Sequence, residues 1–356
     1  MKKIKHWKGF IFTFVLVMVI LQGHKPLCLQ AAETRTEEYD DEEEMQQIDG
    51  WHYEAGKTYY FISGEKQTGW VEVGKKTYYF STKDGHMLTG RQKIKKAVYY
   101  LDSEAGLKTS GWVKEGKKTY YAGKKGILRT GWKSLNGKKY YFSPKNNNMR
   151  TGWTAVDGNY YYFTASGKGK GVLQKNRIAG TSKTGVYYVD HKGVRVTSPE
   201  VVNAVRFVQQ YAAGAGTSDE KLRKCFMALQ GYPYLRTAQD FPSAGNMSSY
   251  ANDMFTRGKG NCYRYAASFA CVAKVLGFQS RVGVGGVSSR GPGTSLSPHG
   301  WAEVKVGGRW GICDISMQRH HSETSLYLCA AGKYPFRISC HARYTLIVQN
   351  GKVSWK

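Results

Sequence analysis

The chain has 356 residues, with 53 Lys plus Arg against 26 Asp plus Glu and a formal charge of +27. That length accommodates two or three domains. A surplus of this size restricts the partner more than the fold, to nucleic acid, anionic lipid or an anionic polymer of the cell wall.

The N-terminus shortens that set. Lys2, Lys3, Lys5 and Lys8 precede an uncharged apolar run from Gly9 to Leu21, and Ala31 and Ala32 supply small residues after it. This is the tripartite pattern of a secretory signal peptide, here residues 1–32, and the apolar run is short for a membrane span. Lys25-Pro26-Leu27 lacks the small residue of a lipoprotein cleavage site, so Cys28 is expected to leave with the signal. Residues 33–49 are acidic, polar and without an apolar period, and read as a disordered spacer. Export sets nucleic acid aside as a partner, and no stable membrane span is expected after cleavage.

From Gly50 the sequence repeats. Trp51, Trp70, Trp112, Trp132 and Trp153 recur about every twenty residues, with Arg91 where one Trp would fall. Between them stand Tyr59-Tyr60, Tyr78-Tyr79, Tyr99-Tyr100, Tyr120-Tyr121, Tyr140-Tyr141 and Tyr161-Tyr162, and Tyr187-Tyr188 marks a last, degenerate copy. Aromatic and β-branched runs broken by Gly, Asn and Lys predict one β-hairpin per unit. A single hairpin cannot bury a core, so the copies must stack. Aromatic burial is the main stabiliser open to such units, and about half of these rings are expected to be core. Rings at the junctions are expected to form shallow pockets for cations or sugar faces.

This pattern resembles the cell-wall-binding repeats of Gram-positive surface proteins, the choline-binding-type family, over residues 50–198. The resemblance implies a solenoid that docks on wall polysaccharide or teichoic acid through Trp51, Trp70, Trp112, Trp132, Trp153, Tyr60, Tyr79, Tyr121 and Tyr141. One departure counts against choline itself. Family copies carry a Trp immediately before the Tyr pair, where this chain has Thr58, Thr77, Val98, Thr119, Lys139 and Tyr160. Residues 51–198 also hold 28 Lys plus Arg against 9 Asp plus Glu, which favours attraction to a phosphate-bearing polymer.

Composition shifts at Ser198-Pro199. Pro199 opens an amphipathic segment from Glu200 to Ala213, Thr217 or Ser218 caps a second, and Asn246 to Phe255 suggests a third helix. Then comes GKGNCYRYA, Gly258 to Ala266. Ala266, Phe269, Ala270, Ala273 and Leu276 make one helical stripe that Gly277 is placed to end. Cys262 falls at its first turn, where the helix dipole favours thiolate and the free N–H groups can bind an oxyanion. Cys271, mid-helix and roughly opposite, reads as an inert buried thiol.

After the helix, Ser280 to Gly286 reads as a strand and Val287 to Pro298 as a loop. His299 to Val306 alternates as a strand, Gly307-Gly308 is a two-residue hairpin turn, and Arg309 to Ile315 returns. In that register Val306 faces Arg309, His299 lies opposite about Ser316, and Asp314 is a diagonal neighbour on the same face. A thiol, an imidazole and a carboxylate so placed have the logic of nucleophile, base and orienter.

The stretches GKGNCYRYA, HGWAEV and RWGICDIS together resemble the bacterial transglutaminase-like domain of the papain-like superfamily, over residues 199–356. The fold class implied is multidomain: an all-β hairpin solenoid followed by an α+β papain-like domain. The resemblance implies Cys262 as nucleophile, His299 as general base and acid, and Asp314 as the residue orienting His299. Asp314-Ile315-Ser316 departs from the family's Asp-x-Pro, so the local turn is expected to differ. Trp301 and Trp310 read as packing, Tyr265 as helix packing or cleft lining, and His320 and His321 as surface residues rather than a metal pair. With Cys262 free, an odd number of cysteines remains in this region, so a fully paired disulfide framework is not implied.

The resulting expectation is a secreted, wall-anchored enzyme of a Gram-positive-type bacterium that needs no cofactor. It would form a thioester on a peptide or protein substrate, by transglutaminase-type acyl transfer or peptide hydrolysis. The alternative is a catalytically inactive wall-binding adhesin or scaffold.

Overall fold

In a strand, successive side chains point to opposite faces, so each Tyr-Tyr pair must split. A computed structural model describes residues 48–107, 110–236, 242–290 and 293–356. The expected signal peptide and nearly all of the acidic spacer lie outside the described residues. Seven antiparallel hairpins make the split, beginning with Gly50–Glu54 against Lys57–Ile62 and ending with Arg177–Thr181 against Gly185–Val189. In four of the pairs the first ring is the buried one, Tyr59, Tyr78, Tyr120 and Tyr140, while in the last two it is the second, Tyr162 and Tyr188; Phe80, Phe142 and Phe163 are wholly enclosed nearby. The second ring pairs across the hairpin with the repeat Trp, as in Trp51 opposite Tyr60, Trp70 opposite Tyr79 and Trp112 opposite Tyr121.

The connectors stack the hairpins. The chain leaving one unit runs back along the unit before it. Met87, Leu128, Met149, Leu173 and Arg195 donate their N–H groups to the carbonyls of Thr58, Val98, Thr119, Lys139 and Tyr160 at 2.6–2.9 Å. Neighbour-only bonding of this kind is the order of a solenoid. The copy that reads as degenerate is nonetheless a complete hairpin, with Ile178 where the Trp would stand, opposite Tyr188. Tyr188 is 1% exposed and joins the core of the C-terminal region, so this hairpin answers to a different neighbour. The buried Asp190 carboxylate continues the join, accepting from the backbone N–H groups of Lys192, Val194 and Gly351. Asp49–Lys356 is one compact unit.

Beyond Ser198, four helices among the described residues precede the sheet: α1 (Pro199–Tyr211), α2 (Ser218–Gln230), α3 (Met247–Arg257) and α4 (Cys262–Val275). Pro199 occupies the first turn of α1, and Thr217 rather than Ser218 caps α2, in a reciprocal box with Glu220. A five-stranded antiparallel sheet completes the fold. Its spatial order is Arg309–Cys313, Ser297–Val306, Gln279–Ser288, Arg337–Gln349, Lys352–Trp355. The central strand, Gln279–Ser288, runs two residues past the expected end at Gly286, and the returning strand starts at Ser297.

The single stripe expected of α4 proves too narrow. Tyr265, Ala267, Ser268, Cys271 and Val272 are buried along with Ala266, Phe269, Ala270 and Ala273. A helix apolar all round is a central helix. Here α4 shares one core with α1, α2, α3 and the sheet residues Val282, Val284, Ala302, Val304 and Leu346. The two glycines at 307 and 308 both have positive φ, 56° and 82°, as a primed turn requires, and they set Val306 opposite Arg309 as expected.

Candidate functional site

Two glycines deliver Cys262. Gly258 ends α3 in the left-handed region at φ 64°. Gly260 has no room for a side chain: a Cβ there would lie 2.7 Å from Arg264 Cβ and 3.1 Å from Met254 Sδ. Asn261 then caps α4 by accepting from the Arg264 N–H, and Cys262 is the first helical residue, 5% exposed. The Pro233–Leu235 segment runs parallel to this turn, with Gly260 N–H donating to Pro233 O at 3.2 Å and Leu235 N–H to Gly260 O at 2.9 Å. That pairing brings Tyr234 to Cys262. Burial, and then the neighbouring Cys262 thiol, push the Tyr234 hydroxyl up to about 12.

His299 and Asp314 also meet, by a different geometry from the one expected. The ladder ends at Ala302 opposite Cys313, so Ser316 never comes opposite His299. Instead the chain turns at Asp314, which caps a short helix, α5 (Ile315–Gln318). Ile315-Ser316 thus begins a helix where a proline-containing turn was the comparison. From this cap Asp314 Oδ2 lies 2.7 Å from His299 Nε2. The same carboxylate accepts from the Tyr334 hydroxyl at 2.7 Å, from Ser316 Oγ at 3.1 Å and from the Met317 N–H at 3.1 Å. Asp314 holds Nε2, so the other ring nitrogen is the one left to the Cys262 thiol.

Burial pushes the His299 imidazole toward its neutral form, but the Asp314 carboxylate and the Cys262 sulfur outweigh it and lift its pKa to about 10. Burial acts upward on Asp314 too, and is overcome by His299, Tyr334 and the Met317 N–H, which leave the carboxyl below its usual value. The other thiols differ. Burial alone pushes Cys225 up to about 12 and dominates at Cys313, also about 12, while Cys271 is raised well above its ordinary value. Cys329 and Cys340 are free.

Sequence reasoning missed two tyrosines here. Tyr334 lies twenty residues beyond Asp314 in a segment with no regular period, and Tyr234 lies in a loop ahead of α3. The only signal for either was an aromatic hydroxyl among turn residues. Trp301 is core as expected, but its indole N–H donates to buried Glu303 at 3.0 Å while its ring stacks on His299 at 6.2 Å. Arg281 and Arg343 pair with Glu303 at 2.5 and 3.2 Å. Tyr265 packs within the helix layer, its hydroxyl bonded to Tyr232 O. His321 pairs with Glu323 at 3.1 Å and lies against Phe336, while His320 is exposed. Tyr334→Phe is expected to lower stability by about 1.5–3 kcal/mol, the range for a hydrogen bond to a charged group. Urea unfolding of the two proteins measures it.

The repeat residues form junctions. Each Trp meets the second Tyr of its own hairpin and the first Tyr of the next. Trp51 lies 5.0 Å from Tyr60 and 4.9 Å from Tyr78. Trp70 lies 4.8 Å from Tyr79 and 5.1 Å from Tyr99. Trp112 lies 5.2 Å from Tyr121 and 5.1 Å from Tyr140. Trp132 with Tyr141 and Tyr161, and Trp153 with Tyr162 and Tyr187, repeat the arrangement. The pairs expected from sequence are thus brought together, and the third ring from the following unit was missed. A cleft of about 530 Å³ opens elsewhere, between the last hairpin and the sheet, lined by Asn176, Lys274 and Trp310 among others.

Residues 205–315 match the family described as the transglutaminase-like superfamily. Residues 67–110 and 129–170 match the choline-binding repeat, and 110–128 the putative cell wall binding repeat. Among solved structures, choline binding protein F from Streptococcus pneumoniae, determined in the presence of a peptidoglycan analogue, is 34% identical over 42% of this chain and 47% of its own, with a TM-score of 0.35. CbpJ from Streptococcus pneumoniae is 27% identical over 42% and 58%, TM-score 0.33. The cell wall endolysin from phage Cp-1, complexed with choline, is 26% identical over 39% and 42%, TM-score 0.26. The chain therefore spans roughly half the length of these proteins. No curated protein matches it. The chain carries choline-binding-type hairpin repeats followed by a transglutaminase-like domain.

Proposed function

We propose that the protein is a cell-surface cysteine enzyme, with Cys262 as nucleophile, His299 as base and then acid, and Asp314 as the residue that orients His299. The observation that carries this reading is the 2.7 Å hydrogen bond between His299 and the buried Asp314 carboxylate, with the Cys262 thiol, at the first residue of a helix, acting on the same imidazole. With the proton already held on His299, the Cys262 sulfur attacks the carbonyl carbon of a carboxamide or peptide bond. The carbonyl oxygen becomes an oxyanion at the N-terminus of α4, where the first N–H groups of the helix have no intrahelical acceptor, and Tyr234 beside Cys262 offers a further O–H. Collapse breaks the carbon–nitrogen bond, and the leaving amine takes the proton back from His299. A primary amine or water then attacks the thioester, giving cross-linking or hydrolysis.

The repeats would hold this domain on the cell wall. Their exposed Trp rings stand at junctions of a kind suited to cations or sugar faces, and their lysine surplus draws them to anionic polymer. Among the described residues no helix is long and apolar enough to cross a membrane.

The deciding assay offers glutamine-bearing and wall-peptide substrates with and without a primary amine. Amine incorporation identifies acyl transfer, and amine-independent release identifies hydrolysis. Absence of both across the substrates, with Cys262 unreactive to alkylation, would leave wall docking as the whole function. Binding to purified wall material is expected to weaken as salt rises from about 0.1 M to 1 M, because the Debye length shrinks from about 10 Å to 3 Å. Binding that ignores salt would make the lysines bystanders.

A further inference from the structure

Seven hairpins make six junctions among the described residues, five built on a Trp and one on Arg91, and they are not equivalent. The inference rests on the reading that the repeats dock through their aromatic junctions. At the junctions of Trp51, Trp70 and Trp112 the Trp is 46%, 40% and 40% exposed, and no Lys or Arg lies over any of the three Trp rings among the described residues. At the remaining three, the chain supplies its own cation.

The last junction is the clearest. Arg195 lies 4.2 Å from the Tyr160 ring, 4.9 Å from Tyr187 and 5.8 Å from Trp153. Three rings from two hairpins thus surround one guanidinium. Arg195 holds the connector position that is Met87, Leu128, Met149 or Leu173 elsewhere, fixed by the same backbone hydrogen bond to the preceding unit. Of the six, this is also the junction with an aromatic residue, Tyr160, just before the Tyr pair. So the junction with the most ring surface is the one a side chain of the protein fills.

The next junction inward is filled differently. Lys139 takes the position before the Tyr pair, and its Nζ lies 4.4 Å from the centre of the Trp132 ring. Trp132 and Trp153, unlike the other three repeat tryptophans, are only partly exposed. At the third junction Arg91 replaces the Trp itself. Its guanidinium lies 5.6 Å from the Tyr120 ring and donates to Asn146 O at 2.9 Å. An incoming cation there meets a fixed positive charge in place of a π face.

We infer that Arg91, Lys139 and Arg195 are built-in occupants of three junctions, and that a ligand bearing an alkylammonium group binds only at the junctions of Trp51, Trp70 and Trp112. The open sites then fall within residues 51–142, with the Arg91 junction between them, while the filled junctions act as internal cross-links between hairpins. Thr58, Thr77 and Thr119 stand where family copies carry a Trp, but each open junction regains a third ring from the following unit, and a quaternary ammonium, which cannot hydrogen-bond, takes its attraction from such ring faces.

The test is calorimetric titration of the full chain with choline chloride at fixed ionic strength, with sodium chloride as the blank. The wild-type protein is expected to take up about three ligands. Lys139→Thr, which installs the residue present at three other junctions, is expected to add one. Arg195→Met, which installs a residue present at other connectors, is expected to add one of higher affinity, because three rings line it. Saturation of the wild type at five or six, or unchanged stoichiometry in both variants, would overturn the inference while leaving ammonium docking intact. Heat indistinguishable from the blank in all three proteins would overturn both the inference and the docking reading beneath it. Arg195→Met bears on stability too, so Lys139→Thr, at a partly exposed strand position, carries the test if that variant fails to fold.

Discussion

Cys262→Ala is expected to remove turnover, by about 10⁴–10⁶-fold if the thiol and imidazole act as one unit, while leaving the fold in place. The substitution deletes a sulfur at the first residue of α4 and nothing on which the helix depends. Asn261 still caps it, and the core along Ala266, Phe269, Ala270 and Ala273 is untouched. The melting temperature should therefore stay within a few degrees of wild type. Alkylation separates Cys262 from the other thiols of the domain. Cys225, Cys271 and Cys313 are buried with their pKa values pushed up, and none of them has a histidine partner. Iodoacetamide near neutral pH should thus label Cys262 first, and the label should vanish in Cys262→Ala. If the alanine variant kept its turnover, or if the label fell on Cys329 or Cys340 alone, the proposed nucleophile would be wrong.

Both halves of the fold were legible because both are written in short periods. The Trp and Tyr-Tyr recurrences specify hairpins through the two-residue alternation of a strand, and the structure pairs Trp51 with Tyr60 and Trp70 with Tyr79 accordingly. What the period could not show is which ring of the next unit closes each junction. That depends on the connectors, whose hydrogen bonds join residues about thirty positions apart in sequence, such as Met87 and Thr58. The site was legible in its members and less so in its geometry. Gly307-Gly308 fixed the first pairs of the hairpin, and extrapolating that register placed Asp314 within reach of His299. The ladder stops at Cys313, however, and the contact comes from the cap of α5. A carboxylate at a helix cap and one on a strand are indistinguishable in sequence at this spacing. Tyr234 and Tyr334 were invisible for a related reason. Each reaches the site from an irregular segment held by tertiary contacts, where no period exists to read.

Asp314→Asn should leave a folded protein with turnover lowered by about 10⁴-fold, the loss found when an orienting carboxylate is replaced by its amide. The amide keeps the shape and one acceptor, but its NH₂ offers a donor where Tyr334, Ser316 and the Met317 N–H also donate. The His299 ring loses the charge that raised it. Burial, the largest influence on that ring, then favours its neutral form. The sign of the pH effect follows. In the wild type the folded-state pKa of His299, about 10, lies above its ordinary value of 6.5. The pair's contribution to stability is therefore complete below about 6.5 and is lost as pH rises through about 10. Asp314 sits below its ordinary value of 3.8, so its contribution is present above that pH and is lost as pH falls through the lowered value. Wild-type stability should thus decline from pH 7 to 10, and Asp314→Asn should flatten that decline. Urea unfolding at pH 6, 8 and 10 reads both curves. Parallel curves would mean that the buried carboxylate does not hold the imidazole in its protonated form. Asp314→Ala goes further, leaving three donors and the ring without an acceptor, and breaking a buried pair in this way costs about 3–5 kcal/mol. A lost fold in the alanine variant beside a folded, inactive asparagine variant would separate the structural part of the carboxylate's role from its part in setting the charge of His299.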